Sequence, residues 1–301
     1  MTNPMTLPWR EDPDPDGPLD PMTHSKEADE TVFLEMDSTR SAFREFQALF
    51  ANRQDFDSRG WLVVVQGDKR TGKTTVINQC AHWAVRQWTA AKLHPRVINL
   101  RAETTEAQNE TERLAAPSSA LIRALQGEAL TKRGAIFENP NDVYANAKTH
   151  LQDSAIPIVL LPTMQTAAEL TRYATRARAR LLLFTEITDL DKSSVDTMAK
   201  IAQDAGLRKP SVLRLGALEE VHVRKFLDAR IDLAGLQDRI SLPPDDLIHD
   251  LATALPITIG GLQALLYNLY EDYLQTGEPL RGFADHNVTG FMYRYLARAH
   301  D

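Results

Sequence analysis

The sequence predicts an α/β fold in which a parallel five-stranded sheet flanked by helices is followed by an all-helical segment. Three observations carry that reading. The run Gly67-Asp68-Lys69-Arg70-Thr71-Gly72-Lys73-Thr74-Thr75 stands between an apolar strand pattern and a helical one. Strand and helix patterns then alternate as far as about residue 216, which puts helices on both faces of a parallel sheet. From Leu218 onward only helical patterns occur, so a separate helical subdomain is expected.

Residues 1–30 are rich in Pro, Asp and Thr, as in Pro13-Asp14-Pro15-Asp16-Gly17-Pro18. Such a stretch buries too little apolar surface to offset the entropy of ordering, so a disordered acidic tail is expected. Leu7 and Trp9 are its two candidate anchors for a partner, against the simpler reading of a plain leader. Ordered structure should begin at Thr31-Val32-Phe33-Leu34. Ser38 or Ser41 is expected to cap a helix that carries Phe43, Phe46, Leu49 and Phe50 on one face.

The unbroken apolar run Trp61-Leu62-Val63-Val64-Val65 reads as a strand buried on both sides, and Val76 to Ala84 as a helix. Pro95 to Arg101 is the second strand. Pro117-Ser118-Ser119 and Asn139-Pro140 are each expected to open a helix, since Pro fits the first helical turn. Ile156 to Leu161 is the third strand, with Pro157 at its start, where a missing donor is tolerated. A helix over about 166–179, a fourth strand Arg180 to Thr185, a helix capped by Ser193 and a fifth strand Ser211 to Leu215 follow. The last part reads as helices at about 218–231, 243–254, 260–276 and 285–299. The expected domains are the tail (1–30), an α/β domain (31–216) and the helical subdomain (217–301).

The pattern Gly-x-x-x-x-Gly-Lys-Thr between a strand and a helix is a phosphate-binding P-loop. Gly67 and Gly72 are expected to let the backbone take conformations closed to other residues. Successive amides of Asp68, Lys69, Arg70, Thr71 and Thr75 then face one concavity, and a helix N-terminus adds its positive end. Lys73 supplies a charge for the outer phosphates and Thr74 a hydroxyl for Mg²⁺. The motif specifies nucleotide binding and leaves hydrolysis open.

Composition narrows the partners. The formal net charge of −7 argues against whole-surface affinity for nucleic acid, although a local basic patch stays open. No apolar run approaches the roughly 20 residues of a membrane span, and the N-terminus lacks a basic-then-apolar leader. The single cysteine, Cys80, excludes an internal disulfide and is expected to pack. A cytoplasmic address is the expectation. The histidines show no metal-ligand spacing.

A strand–P-loop–helix start, five strands and a helical end resemble the AAA+ superfamily, and more closely its origin-recognition-like and STAND (signal-transduction NTPase) branches. Leu215-Gly216-Ala217-Leu218-Glu219-Glu220-Val221 looks like their junction between sheet and lid, and Ile259-Gly260-Gly261-Leu262-Gln263 like their Gly-rich lid helix. The resemblance covers about residues 31–276 and implies ATP with Mg²⁺ bound between sheet and lid. Two departures matter. Where the family ends its third strand in Asp-Glu, this chain has Leu160-Leu161-Pro162-Thr163, a degenerate Walker B motif. The lid arginine of those families falls on Gln263. The family's carboxylate role therefore shifts to Glu186, with two placements open. Glu186 is a catalytic base if Leu182 to Thr185 is the acidic strand, with Thr185 then replacing the metal-binding Asp and Asp189 and Asp191 following. On the strand counting that the sheet favours, Thr185 or Glu186 holds the polar position that senses γ-phosphate. Arg172, Arg176, Arg178 and Arg180 are candidates for donation to a neighbouring subunit, against the reading of a solvated basic face.

The function expected is a nucleotide-operated switch in a multi-protein assembly with slow or impaired ATP hydrolysis. Protein partners would bind through the tail, the lid or a last helix carrying Phe291, Tyr295 and Leu296. Homo-oligomers are a further expectation. The competing readings are an active AAA+ ATPase loading a partner on DNA, a scaffold with structural nucleotide, and a small-molecule kinase.

Overall fold

The computed structural model describes residues 36–50, 56–103, 110–140, 142–188, 191–235, 249 and 258–276. The expected tail, most of the 243–254 helix and the last helix lie outside these residues. The chain divides into two compact units, one formed by 41–69 and 73–215, the other by 1–40, 70–72 and 216–301.

The first unit is built on five parallel strands: β1 (Trp61–Gln66), β2 (His94–Asn99), β3 (Ala155–Leu160), β4 (Leu182–Ile187) and β5 (Ser211–Arg214), in the spatial order β2-β3-β4-β1-β5. Each crossover between parallel neighbours needs a covering element, and helices supply it. Every residue of β1 and β3 is buried, which is why both read as continuous apolar runs. On one face Leu62, Val64, Val159 and Leu183 pack with Leu121 and Leu125 of α4 (Glu110–Gly127), Leu170 and Tyr173 of α7 (Ala167–Arg176) and Val195 of α8 (Lys192–Asp204). On the other, α1 (Asp37–Leu49) and α3 (Lys73–Ala90) build an aromatic layer. The Phe46 ring lies 5.5 Å from Phe184 and 5.9 Å from Trp83, and Phe56 of α2 (Phe56–Arg59) lies 5.0 Å from Trp61. The helix before the P-loop strand therefore packs on the sheet.

Several local expectations are corrected. Ser38 and Ser41 lie inside α1; the start is closed by Thr39, whose hydroxyl accepts from the Met36 N–H and donates to the Met36 carbonyl. Pro117 lies within α4, because the helix already starts at Glu110. Its ring removes one helical donor, and in the same turn the Leu114 carbonyl accepts from Ser118 Oγ and from the Arg176 guanidinium. The helix expected at Asn139-Pro140 is two short ones, α5 (Asp142–Ala145) and α6 (Ala147–His150), while Asn139 itself bonds the Asp142 carboxylate. Pro157 falls within β3, opposite Arg96. Its missing donor faces β4, whose pairing with β3 begins only at Ile158, so no ladder bond is lost. β4 runs two residues later than expected, because Arg180 takes a left-handed conformation (φ 69°) and turns the chain first.

Helix α8 is capped by Asp191 rather than Ser193. Its carboxylate accepts from the Ser193 and Ser194 hydroxyls and the Ser194 N–H, which together lower its pKa to about 2. A depressed carboxylate contributes stability that is present above its unfolded value and lost as pH falls through the folded one. Asp191→Asn is therefore expected to flatten the fall of melting temperature between pH 4 and pH 2, a window set by that shift. Equal acid sensitivity of parent and variant would dismiss the cap.

The second unit contains α9 (Glu220–Leu233) and α10 (Ile259–Thr276). Val223, Phe226, Leu227 and Ile231 give α9 one buried face. Arg230 stacks over the Phe226 ring at 5.2 Å, and burial lowers its pKa to about 10. The Thr258 hydroxyl caps α10 by accepting from the Gly261 N–H, and Leu262, Leu265, Leu266 and Tyr270 are among its buried residues. No helix among the described residues is long and apolar enough to cross a membrane.

A P-loop and a carboxylate at the strand ends

The sheet order puts β1 between β4 and β5: the chain leaves β1 for β2 at one edge, while the crossover from β4 to β5 passes β1 to reach the other edge. Open α/β sheets bind ligands at the carboxyl ends of their strands beside such a switch point. Here that point is the loop from Gly67 into α3. Its left-handed residues are Arg70 (φ 68°) and Gly72 (φ 87°), so the second bend falls on Arg70 where Gly67 was expected. A non-glycine residue held there stores strain of the kind found at ligand clamps. Asp68 and Lys69 are exposed, Thr71 is buried, and Thr74 and Thr75 are half-buried on the first turn of α3. Lys73 is buried; its ammonium donates to the carbonyls of Gly67 at 2.9 Å and Asp68 at 2.7 Å.

Parallel pairing places Glu186 of β4 beside Val65, near the end of β1. Side chains on one face of a strand recur every second residue, so Glu186 shares the face of Phe184, the side on which α3 lies. There the Thr74 hydroxyl donates to Glu186 Oε2 at 3.0 Å. The Thr163 hydroxyl, three residues past β3, donates to Oε1 at 3.1 Å. Thr185 faces the other way, fully buried, and gives its hydroxyl to the Pro162 carbonyl at 2.8 Å. That bond uses the one hydrogen of the Thr185 hydroxyl, on the face of β4 away from Glu186. Asp191 is spent on the α8 cap, and Asp189 lies outside the described residues.

Sequence reasoning missed Thr163, Arg101 and Asn78 as members of this group. Arg101 follows β2 in a turn fixed by its N–H on Asn99 Oδ1, and its guanidinium donates to Asn78 Oδ1 of α3 at 3.2 Å. Burial lowers the Arg101 pKa, and the charge of Glu186 opposes that shift. Of the four candidate arginines, two face inward. Arg176 lies over the Tyr144 and Tyr173 rings and Arg180 donates to the carbonyls of Gln152 and Asp153, so neither is free to reach a neighbouring subunit. Cys80 is buried and its thiol pKa is pushed up. Among the described residues no group of three His, Cys, Asp or Glu side chains is placed to hold a metal unaided.

These residues fit a nucleotide phosphate with its metal. A buried ammonium, a hydroxyl and the N-terminus of an 18-residue helix converge on one bend. No family model and no curated protein matches this chain. Solved structures do match it. The ORC1 protein of Aeropyrum pernix, in complex with DNA, aligns at 15% identity with a TM-score of 0.56, covering 91% of this chain and 68% of that one. The ORC2 protein of the same organism, in ADPNP–ADP complexes, aligns at 16% and 0.54, over 81% of this chain and 65% of that one. Its ADP form aligns at 14% and 0.52, over 85% and 67%. This chain thus spans about two thirds of the length of those proteins. At such identities the likeness is one of fold: a five-stranded parallel sheet with flanking helices, like that of the ORC proteins in those structures.

Proposed function

We propose that this chain binds a nucleoside triphosphate, ATP in the first instance, with Mg²⁺ at the P-loop. On this reading it serves as a nucleotide-dependent switch in a multi-protein assembly and hydrolyses slowly. The observation that supports it best is the contact of the Thr74 hydroxyl with the Glu186 carboxylate, while the end of β3 offers Leu161, Pro162 and Thr163. The P-loop amides and Lys73 hold the outer phosphates, and the Thr74 hydroxyl holds the metal. When bound, Mg²⁺ neutralises charge on those phosphates. Glu186, fixed by two hydroxyls, orients a water or reports the terminal phosphate. The Walker B position lacks a carboxylate to take a proton from water, hence the slow turnover. We place the chain beside the STAND-like switches on that ground, with residues 1–30 and 217–301 as the segments that meet protein partners.

Calorimetry with Mg-ATP tests the reading. Glu186→Gln is expected to keep affinity within about twofold, because the amide retains both size and an acceptor. A parent protein that turns over ATP faster than about 1 per second, approaching common enzyme rates, would remove the switch reading. The DNA in the ORC1 structure supports a second reading, loading of a partner on DNA. Salt-dependent binding of duplex DNA by the parent protein would favour it; the net charge of −7 stands against it.

A further inference from the structure

We propose that Arg101 is the residue by which this site distinguishes a nucleoside triphosphate from a diphosphate, its guanidinium aimed from the end of β2 by Asn78 of the P-loop helix. The inference rests on the nucleotide-binding reading above and adds to it a residue that no motif marks.

Three placements carry it. Arg101 stands at the carboxyl end of a strand, in a turn fixed by the Asn99 side chain and by the Glu103 N–H on the Leu100 carbonyl. Its guanidinium meets Asn78, five residues beyond Lys73, on the buried side of α3. It lies within electrostatic reach of Glu186, the carboxylate that touches Thr74. A partly buried cation costs free energy unless an anion accompanies it. Asn78 is neutral, and Glu186, which carries one threonine hydroxyl on each oxygen, acts on Arg101 through its charge. A guanidinium carries five donors in a planar fork suited to phosphate oxygens, so one bond to Asn78 leaves most of the fork for a further anion. Lys73 and the loop amides serve a diphosphate as well as a triphosphate. A cation on the far side of Glu186 from the P-loop adds selectivity for the longer chain.

The test titrates the parent, Arg101→Ala, Arg101→Lys and Asn78→Ala with Mg-ATPγS and Mg-ADP by calorimetry, with melting curves recorded without nucleotide. Loss of charge-assisted hydrogen bonds is expected to cut ATPγS affinity of Arg101→Ala about tenfold to a hundredfold, with ADP affinity held within about twofold. Arg101→Lys should recover part of the loss. Asn78→Ala, which keeps the cation and removes its anchor, should reduce the preference in the same direction. Equal losses for both nucleotides, or no loss for either, overturn the inference. Should Arg101→Ala fail to fold, the lysine and Asn78 variants decide by the same ratio. A parent that binds neither nucleotide sinks the function proposed above, whereas a parent that binds both equally well sinks only this inference.

Discussion

Replacing Lys73 by alanine is expected to weaken Mg-ATP binding by about a hundredfold or more, since bonds from a charged donor are each worth about 1.5–3 kcal/mol. The position explains the size. Lys73 is buried, and its ammonium spans the bend by donating to both the Gly67 and Asp68 carbonyls. It is at once the charge offered to an outer phosphate and the brace that closes the loop. Alanine removes both, and leaves two carbonyls on a strained bend where Arg70 is already left-handed. A buried cation lost from an otherwise intact fold acts locally, so the variant should melt near the parent without nucleotide. It should also lose the rise in melting temperature that bound ligand gives by mass action. Calorimetry and a melt with and without Mg-ATP measure the two effects separately. An alanine variant that binds as tightly as the parent would end the phosphate reading of the loop.

What the chain displays openly and what it hides follow from how local each signal is. β1, the P-loop and α3 are legible because a buried strand, a spaced pair of glycines and a Lys-Thr step are all consecutive residues. The five strands and their order in the chain are legible for the same reason. Side-by-side order in the sheet was not legible, since no periodicity encodes which strand adjoins β1. The misreadings share a cause. Pro117 and Asn139-Pro140 are strong local signals, and each yielded to context: residues from Glu110 had already begun α4, and Asn146 broke the following helix in two. The site divides likewise. Glu186 stood out as an acid at a strand end. Its partners Thr74 and Thr163 are 112 and 23 residues away, and only the pairing of β3, β4 and β1 brings them together. Thr163 was visible merely as a missing carboxylate. An arginine directly after a strand was the one available hint for Arg101.

That dependence on strand pairing makes Gly60 the most severe test of the fold. Gly60 adopts φ +66° at the entry to β1, where its N–H closes α2 on the Phe56 carbonyl. A Cβ there would lie 2.8 Å from the Leu181 carbonyl oxygen and would also meet the Arg178 carbonyl oxygen, both backbone atoms with little room to retreat. The same Leu181 carbonyl accepts from the Trp61 N–H and sets the register that runs Trp61 against Leu182 and Val65 against Glu186. Gly60→Ala is thus expected to cost about 3 kcal/mol or more, the sum of left-handed strain and a backbone clash. Domains are commonly stable by only about 5–15 kcal/mol, so the denaturant midpoint should fall visibly. Gly127→Ala is the control: beyond its own stretch of helix nothing lies within 4 Å of the added methyl, and it should leave the midpoint nearly unchanged. If the two variants unfold alike, the approach of Arg178 and Leu181 to β1 is misplaced. The register that carries Glu186 to Thr74 would then lose its anchor. If Gly60→Ala unfolds early yet still binds nucleotide when folded, the clash has been absorbed at the strand entry, and the far ends of β1 and β4 hold their register without it.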